Sequence, residues 1–170
     1  MLHPYCFYRN SRVAFYIGEK KMTMGLRIKA ARLHRGLTQQ ELGLQIGLSE
    51  STAAVRIAQY ESSARRPKED LKVRFSEVLN MNSRYFYLPD EFAVEDIVLL
   101  LLELDEGLQI EIVPLYSKSR TRACIHFDCA AIDNFLIDWV KQKRAFASGV
   151  ITKQEYTDWA LALPKLITKG

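Results

Sequence analysis

The sequence predicts a mainly α protein. An N-terminal bundle of five short helices is followed by a small α+β region with one β-hairpin and flanking helices. Three observations predict this. Residues 24–88 show apolar positions at helical spacing, broken by capping residues and glycines. Residues 109–127 alternate with a period of two. Two further helical patterns close the chain on either side of Gly149.

In the first predicted helix, Leu26, Ile28, Ala31, Leu33 and Leu37 form an apolar face, and Gly36 supplies the stop. Thr38 and Glu41 form a T-x-x-E capping box, in which each side chain satisfies the other residue's free amide. Leu42 and Ile46 face the core from this second helix, which ends at Gly47. Ser49 is the expected cap of a third helix that buries Ala53, Ile57 and Tyr60. A loop from Ser62 to Arg66 leads to Pro67, expected in the first turn of a fourth helix carrying Leu71, Phe75 and Val78 or Leu79. Ser83 is the expected cap of a final turn with Tyr85, Phe86 and Leu88.

Beyond Pro89, the run Val94 to Leu104 predicts a buried helix, with a stop near Gly107. Gln109–Tyr116 and Arg120–Phe127 predict the two strands, joined by Ser117, Lys118 and Ser119. Ile132–Phe146 and Thr152–Leu163 predict the last helices, the second opened by a Thr152/Glu155 capping box and ended by Pro164. Three domains are therefore expected: a flexible N-terminal extension over 1–22, a helical domain over 23–88 and a C-terminal region over 89–170. The native start is expected at Met22 or Met24, just ahead of the first helical pattern.

Composition narrows the class. The chain has 170 residues, 48% hydrophobic and 26% charged, which fits a globular protein. Its longest apolar run, Ile97–Leu102, has six residues, far short of the roughly 20 that a membrane-spanning helix needs. Three cysteines (Cys6, Cys124 and Cys129) give no disulfide framework, and a reducing cytoplasm fits. Charge is uneven. Residues 24–80 hold ten basic and six acidic groups, whereas residues 81–170 hold ten basic and thirteen acidic. Only the first half suits a polyanion, although solvated surfaces also vary by this much.

The run L-R-I-K-A-A-R-L-H-R-G-L-T-Q-Q-E-L-G-L-Q-I-G-L-S, followed by Tyr60-Glu61 and Arg66-Pro67, resembles the lambda-repressor-like, or xenobiotic-response-element-type, helix-turn-helix family. The resemblance implies a second helix that crosses the DNA backbone and a third that presents its N-terminal residues to base edges in the major groove. It implies that Gln39 donates to a backbone phosphate and that Arg32 and Glu61 form a structural salt bridge. Around the third helix, Ser49, Ser51 and Thr52 suit bases or phosphates, Val55 suits a thymine methyl, and Arg56 suits a bidentate contact to guanine. Gln59 flanks them, and Arg65, Arg66 and Lys68 suit phosphates. Each of these also fits an ordinary solvated surface position. Gly47 to Glu61 spans fourteen steps, about four more than compact family members have, which predicts a recognition helix longer by about one turn.

The last forty residues, with F-L-I-D-W and I-T-K-Q-E-Y-T-D-W-A-L-A-L-P, resemble tails of short bacterial, phage- or transposon-associated regulators. Their aromatics, Phe135, Trp139, Tyr156 and Trp159, suit a small core or a dimer interface. No nucleotide-binding, hydrolase or metalloprotease motif is present, and Cys124, His126 and Cys129 lack zinc-site spacing. The expectation is a cytoplasmic, DNA-associated, non-enzymatic regulator, bacterial or phage-encoded. It needs no cofactor or metal, binds double-stranded DNA and forms a homodimer through its C-terminal region. A repressor of phage or mobile-element type is the leading reading. The alternative is an antitoxin-like or adaptor protein whose C-terminal region captures a protein partner.

Overall fold

A computed structural model describes residues 22–90, 93–108, 110–116 and 121–162. Of the expected N-terminal extension only Met22 lies among them. The expected hairpin loop at 117–119 and the Pro164 stop lie outside them. The chain divides into two units, Met1–Glu91 and Phe92–Gly170.

The first unit is built from α1 (Met24–His34), α2 (Gln39–Gln45), α3 (Ala53–Glu61), α4 (Glu69–Val78) and a 3-10 turn (Ser83–Phe86). Its core is Ile28, Ala31, Leu42, Ile46, Ala53, Ile57, Tyr60, Phe75, Leu79, Met81 and Phe86. Tyr60 meets Phe75 edge-on at 5.8 Å between ring centroids, and Phe86 packs tilted against Phe75 at 6.2 Å. Such aromatic contacts add about 0.5–1.5 kcal/mol beyond area burial. On α2, Thr38 Oγ1 accepts from Glu41 N while Glu41 Oε2 accepts from Thr38 N at 2.7 Å, the expected box.

Several local expectations need correction. The buried face of α1 is not the predicted leucine stripe. Ile28 and Ala31 are buried with Gly25, Arg27 and Arg32, while Leu26 and Leu33 are exposed. Apolar periodicity missed this because long arginine side chains bury their stems and carry their heads to backbone acceptors. Pro67 precedes α4, whose N-cap is Lys68, and the 3-10 turn is capped by Asn82, not Ser83. The Asn82 amide oxygen accepts from Arg84 N at 2.8 Å. Either residue type caps well, so spacing alone does not choose between Asn82 and Ser83.

The segments that flank this unit meet. Met22 N donates to Asp90 O at 3.0 Å, and Met24 N donates to Asp90 Oδ1 at 2.8 Å. Arg27 donates from beneath to the carbonyls of Leu88 (2.9 Å), Tyr85 (3.3 Å) and Pro89. Burial lowers the Arg27 pKa from its ordinary value, and the Asp90 carboxylate opposes that shift.

The second unit contains α5 (Val94–Leu108), the antiparallel pair β1 (Ile110–Leu115) and β2 (Arg122–Phe127), α6 (Ala130–Ala147) and α7 (Lys153–Ala162). The register pairs Ile110 with Phe127, Ile112 with Ile125 and Pro114 with Ala123, so the predicted apolar sets share one face. Helix α5 ends beside Gly107 as expected, but it is not the buried helix predicted: Val98, Leu99, Leu100 and Leu102 are exposed, because an apolar run shows that a face could be buried and not that a partner covers it. Gly149, at φ +74°, closes α6, and Thr152 and Glu155 form the expected box on α7. Between α6 and α7, Phe135 stacks on Trp159 and Phe146 stacks on Tyr156.

The Glu41 carboxyl is held below its usual pKa, first by the Thr38 backbone N–H and then by the Thr38 side chain. A pKa that is depressed on folding gives stability above the unfolded value, about 4.3, and that stability is lost as pH falls through the folded value. Glu41→Gln should therefore lower the thermal midpoint at neutral pH. The gap from the parent chain should close as pH drops below about 4. Circular dichroism melts across pH 3–7 measure this directly.

Candidate nucleic-acid interface

Three locks hold α2 and α3 as a unit. The first is a close approach. An added Cβ on Gly43 would sit 2.6 Å from Ala53 Cβ and 2.8 Å from Ala53 Cα, so the helices meet backbone to side chain. The second is Gln40, whose amide donates to Glu50 O at 2.9 Å and whose oxygen accepts from Ala54 N at 3.1 Å. The third is a buried ion pair. Arg32 Nε lies 2.5 Å from Glu61 Oε1 and Arg32 Nη2 lies 3.2 Å from Oε2, with the two side chains 8% and 4% exposed. Arg32 Nη1 also donates to Leu37 O at 2.6 Å, and Gln39 Nε2 donates to Glu61 Oε2 at 2.9 Å. One network thus joins α1, the start of α2 and the end of α3.

The connection between the two helices is a real turn. Gly47 has φ +84°, and Leu48 N returns to Gly43 O at 2.9 Å. Arg74 from α4 donates to Ile46 O at 3.1 Å, satisfying a carbonyl left free at the end of α2.

Ser49 is not the helix cap. Its carbonyl accepts from Thr52 N (3.0 Å) and Ala53 N (2.9 Å), which builds a turn over 49–52, and α3 starts only at Ala53 with Thr52 as N-cap. Thr52 makes no side-chain cap bond. The extra residues noted after Gly47 therefore enter this turn and leave a nine-residue helix, not the lengthened one expected. The reason is hydroxyl competition. Ser49 Oγ bonds Thr52 Oγ1 at 2.7 Å and lies 3.4 Å from Ser51 Oγ, so side chains stabilise a turn where helix was expected.

This arrangement presents a surface. Ser49, Ser51 and Thr52 are exposed at the leading end of α3. Val55 is 61% exposed one turn later, with Arg56 and Gln59 half-buried on the same side. The opposite side, Ala53, Ile57, Tyr60 and Glu61, is buried. Arg65 N folds back to Gln59 O at 3.1 Å and sets the basic loop behind α3. Arg65 and Lys68 are exposed there, and Arg66 is paired with Asp90 at 3.3 Å. Gln39 lies half-buried with one amide N–H on Glu61, leaving its second N–H for another acceptor.

Against known proteins, residues 28–86 match the family model described as Helix-turn-helix. Residues 28–86 form a helix-turn-helix domain of the lambda-repressor-like family. Two solved structures are similar to it. One is the transcriptional regulator BswR, 26% identical, covering 49% of this chain and 94% of that one with a TM-score of 0.38. The other is the P22 c2 repressor protein in complex with synthetic operator 9T in the presence of Tl+, 31% identical, covering 38% of this chain and 91% of that one with a TM-score of 0.34. No curated protein matches the chain. No helix among the described residues is long and apolar enough to cross a membrane.

Within the helix-turn-helix, Gln40, Gly43 and Arg74 were not singled out from the sequence. Gly43 carried one signal, a glycine inside a helical pattern, which suggests a close backbone approach. Gln40 and Arg74 carried none, since polar residues on short helices look like solvated ones.

Arg32→Ala should leave the Glu61 carboxylate buried with a weakened set of partners and cost about 3–5 kcal/mol. Chemical denaturation of the full chain checks this. Gly43→Ala should force α2 and α3 apart and cost about 1–3 kcal/mol, as overpacking does. Ala53→Gly in the same chain should recover part of the loss in the same assay, because it removes the nearest of the clashing atoms.

Proposed function

We propose that the chain is a sequence-specific regulator of transcription that binds double-stranded DNA through α3, and that it acts as a repressor of phage or mobile-element type. The observation that carries this is the uncovered outer side of α3. Val55, Arg56 and Gln59 line it beside a turn that carries the hydroxyls of Ser49, Ser51 and Thr52, held by a scaffold that spends its own polar groups internally. Apolar and polar groups at the start of one rigid helix suit base edges, and the basic residues behind it suit phosphates.

In this reading Ser49, Ser51 and Thr52 contact bases or phosphates, Val55 meets a thymine methyl and Arg56 reads guanine, with Gln59 beside it. Arg65, Arg66, Lys68 and the second N–H of Gln39 hold the backbone. Arg66 has to exchange Asp90 for phosphate, a small cost because this pair is exposed. Arg32 and Glu61 are architectural. The protein works by occupancy and without catalysis, cofactor or metal, in the cytoplasm. One short helix reads few bases, so a homodimer formed through the C-terminal region supplies the second half-site.

Selection of bound duplexes from a random library by the full chain, followed by gel-shift titration, tests this reading. A two-fold symmetric site should emerge, with affinity falling steeply as salt rises. Arg56→Ala should alter the preferred bases at a cost of about 1–3 kcal/mol. Arg65→Ala should weaken all sequences alike and reduce the salt slope by about one. No enrichment at low salt would overturn the reading.

A further inference from the structure

Helix α6 has two apolar faces. One carries Phe135, Trp139 and Phe146 and packs against α7, with Trp139 at its edge: Phe135 stacks on Trp159, Trp139 Nε1 donates to Tyr156 Oη at 3.0 Å, and Phe146 stacks on Tyr156. The other carries Leu136, Ile137 and Val140, which are 37%, 54% and 38% exposed. An acidic residue, Asp133, lies in the first turn of this second face and a basic one, Arg144, in the last.

The order along this face is Asp133, Ile137, Val140, Arg144, spaced i, i+4, i+7, i+11, which keeps one side of a helix. A two-fold axis placed between Asp138 and Trp139 sets a second, antiparallel copy of α6 against it. Asp133 then faces the second copy's Arg144, and Ile137 lies level with its Val140 at the centre of the seam. Both ends gain an opposite-charge pair, about 16 Å apart along the axis, around an apolar centre. Such a surface is complementary to itself, as a closed dimer requires.

Helix α5 supplies the contrast. Glu95, Leu99, Leu102 and Glu106 have the same spacing and are all exposed. Antiparallel self-pairing there would set Glu95 against Glu106 at both ends, like charge on like. We infer that the partner of the α6 face is a second copy of this chain, with α6 antiparallel to itself and Asp133–Arg144 pairs closing each end. The inference rests on the proposed dimeric regulator and names its seam, which is neither α5 nor the Trp139/Trp159 cluster.

Sedimentation equilibrium of the full chain without DNA tests the seam. The parent chain should dimerise in the micromolar range. Asp133→Lys alone and Arg144→Glu alone each place like charges at both ends and should weaken dimerisation at least about tenfold. The combined variant restores opposite charges and should return to within about threefold of the parent. Circular dichroism and binding to a single half-site report that each variant is folded. A monomeric parent chain, or a combined variant no tighter than the weaker single one, would overturn the seam. Charge-dependent dimerisation in a chain that enriches no DNA would leave the seam standing and overturn the regulator reading instead.

Discussion

The Arg32–Glu61 pair is the contact on which the N-terminal unit turns. Taking two ions out of water costs several kcal/mol each, and the cost is met only when the remaining donors and acceptors are also satisfied. Here they are: Leu37 O and Gln39 Nε2 complete the set. The four residues come from α1, the connection after it, the start of α2 and the end of α3, so the network has one geometry only when those elements are correctly placed. A hydrophobic contact tolerates sliding. A bidentate guanidinium does not.

Apolar packing then fills the frame. The glycine at 43 brings α2 and α3 into contact at their backbones, and Gln40 ties the turn between them at both of its ends. The result is a short recognition helix whose inner side is fully committed and whose outer side is not. Rigidity of this kind matters for a reader of bases, because hydrogen bonds to base edges discriminate only when the donors are already in place.

Much of this was legible in advance. The Thr38/Glu41 and Thr152/Glu155 boxes, the glycine stops at 36, 47 and 149, and the alternation of Ile110, Ile112, Ile125 and Phe127 all act through local chemistry, and local chemistry is written in short windows. The Arg32–Glu61 pair was reachable only through family resemblance, since its partners lie 29 residues apart. What escaped was set by competition between similar local options. Ser49 and Thr52 both suit a cap, and their mutual hydrogen bond decided for a turn. Leu33 was read as core and is exposed, whereas Arg27, outside the predicted apolar face, is held inward by carbonyls at the end of the unit. The outer face of α3 was legible as a face.

The clasp at Asp90 has a topological consequence. Because its backbone and side chain hold Met22 and Met24, the two ends of the helical bundle lie within a hydrogen bond of each other. The loop is almost closed, and its covalent order is nearly immaterial to its packing. A short linker joining residues 90 and 22, with new ends opened in an exposed loop such as 63–65, would ask almost nothing of the core. The same closure means that tension between the two ends falls first on Asp90 and its few bonds. The helices behind it are loaded only after the clasp has opened.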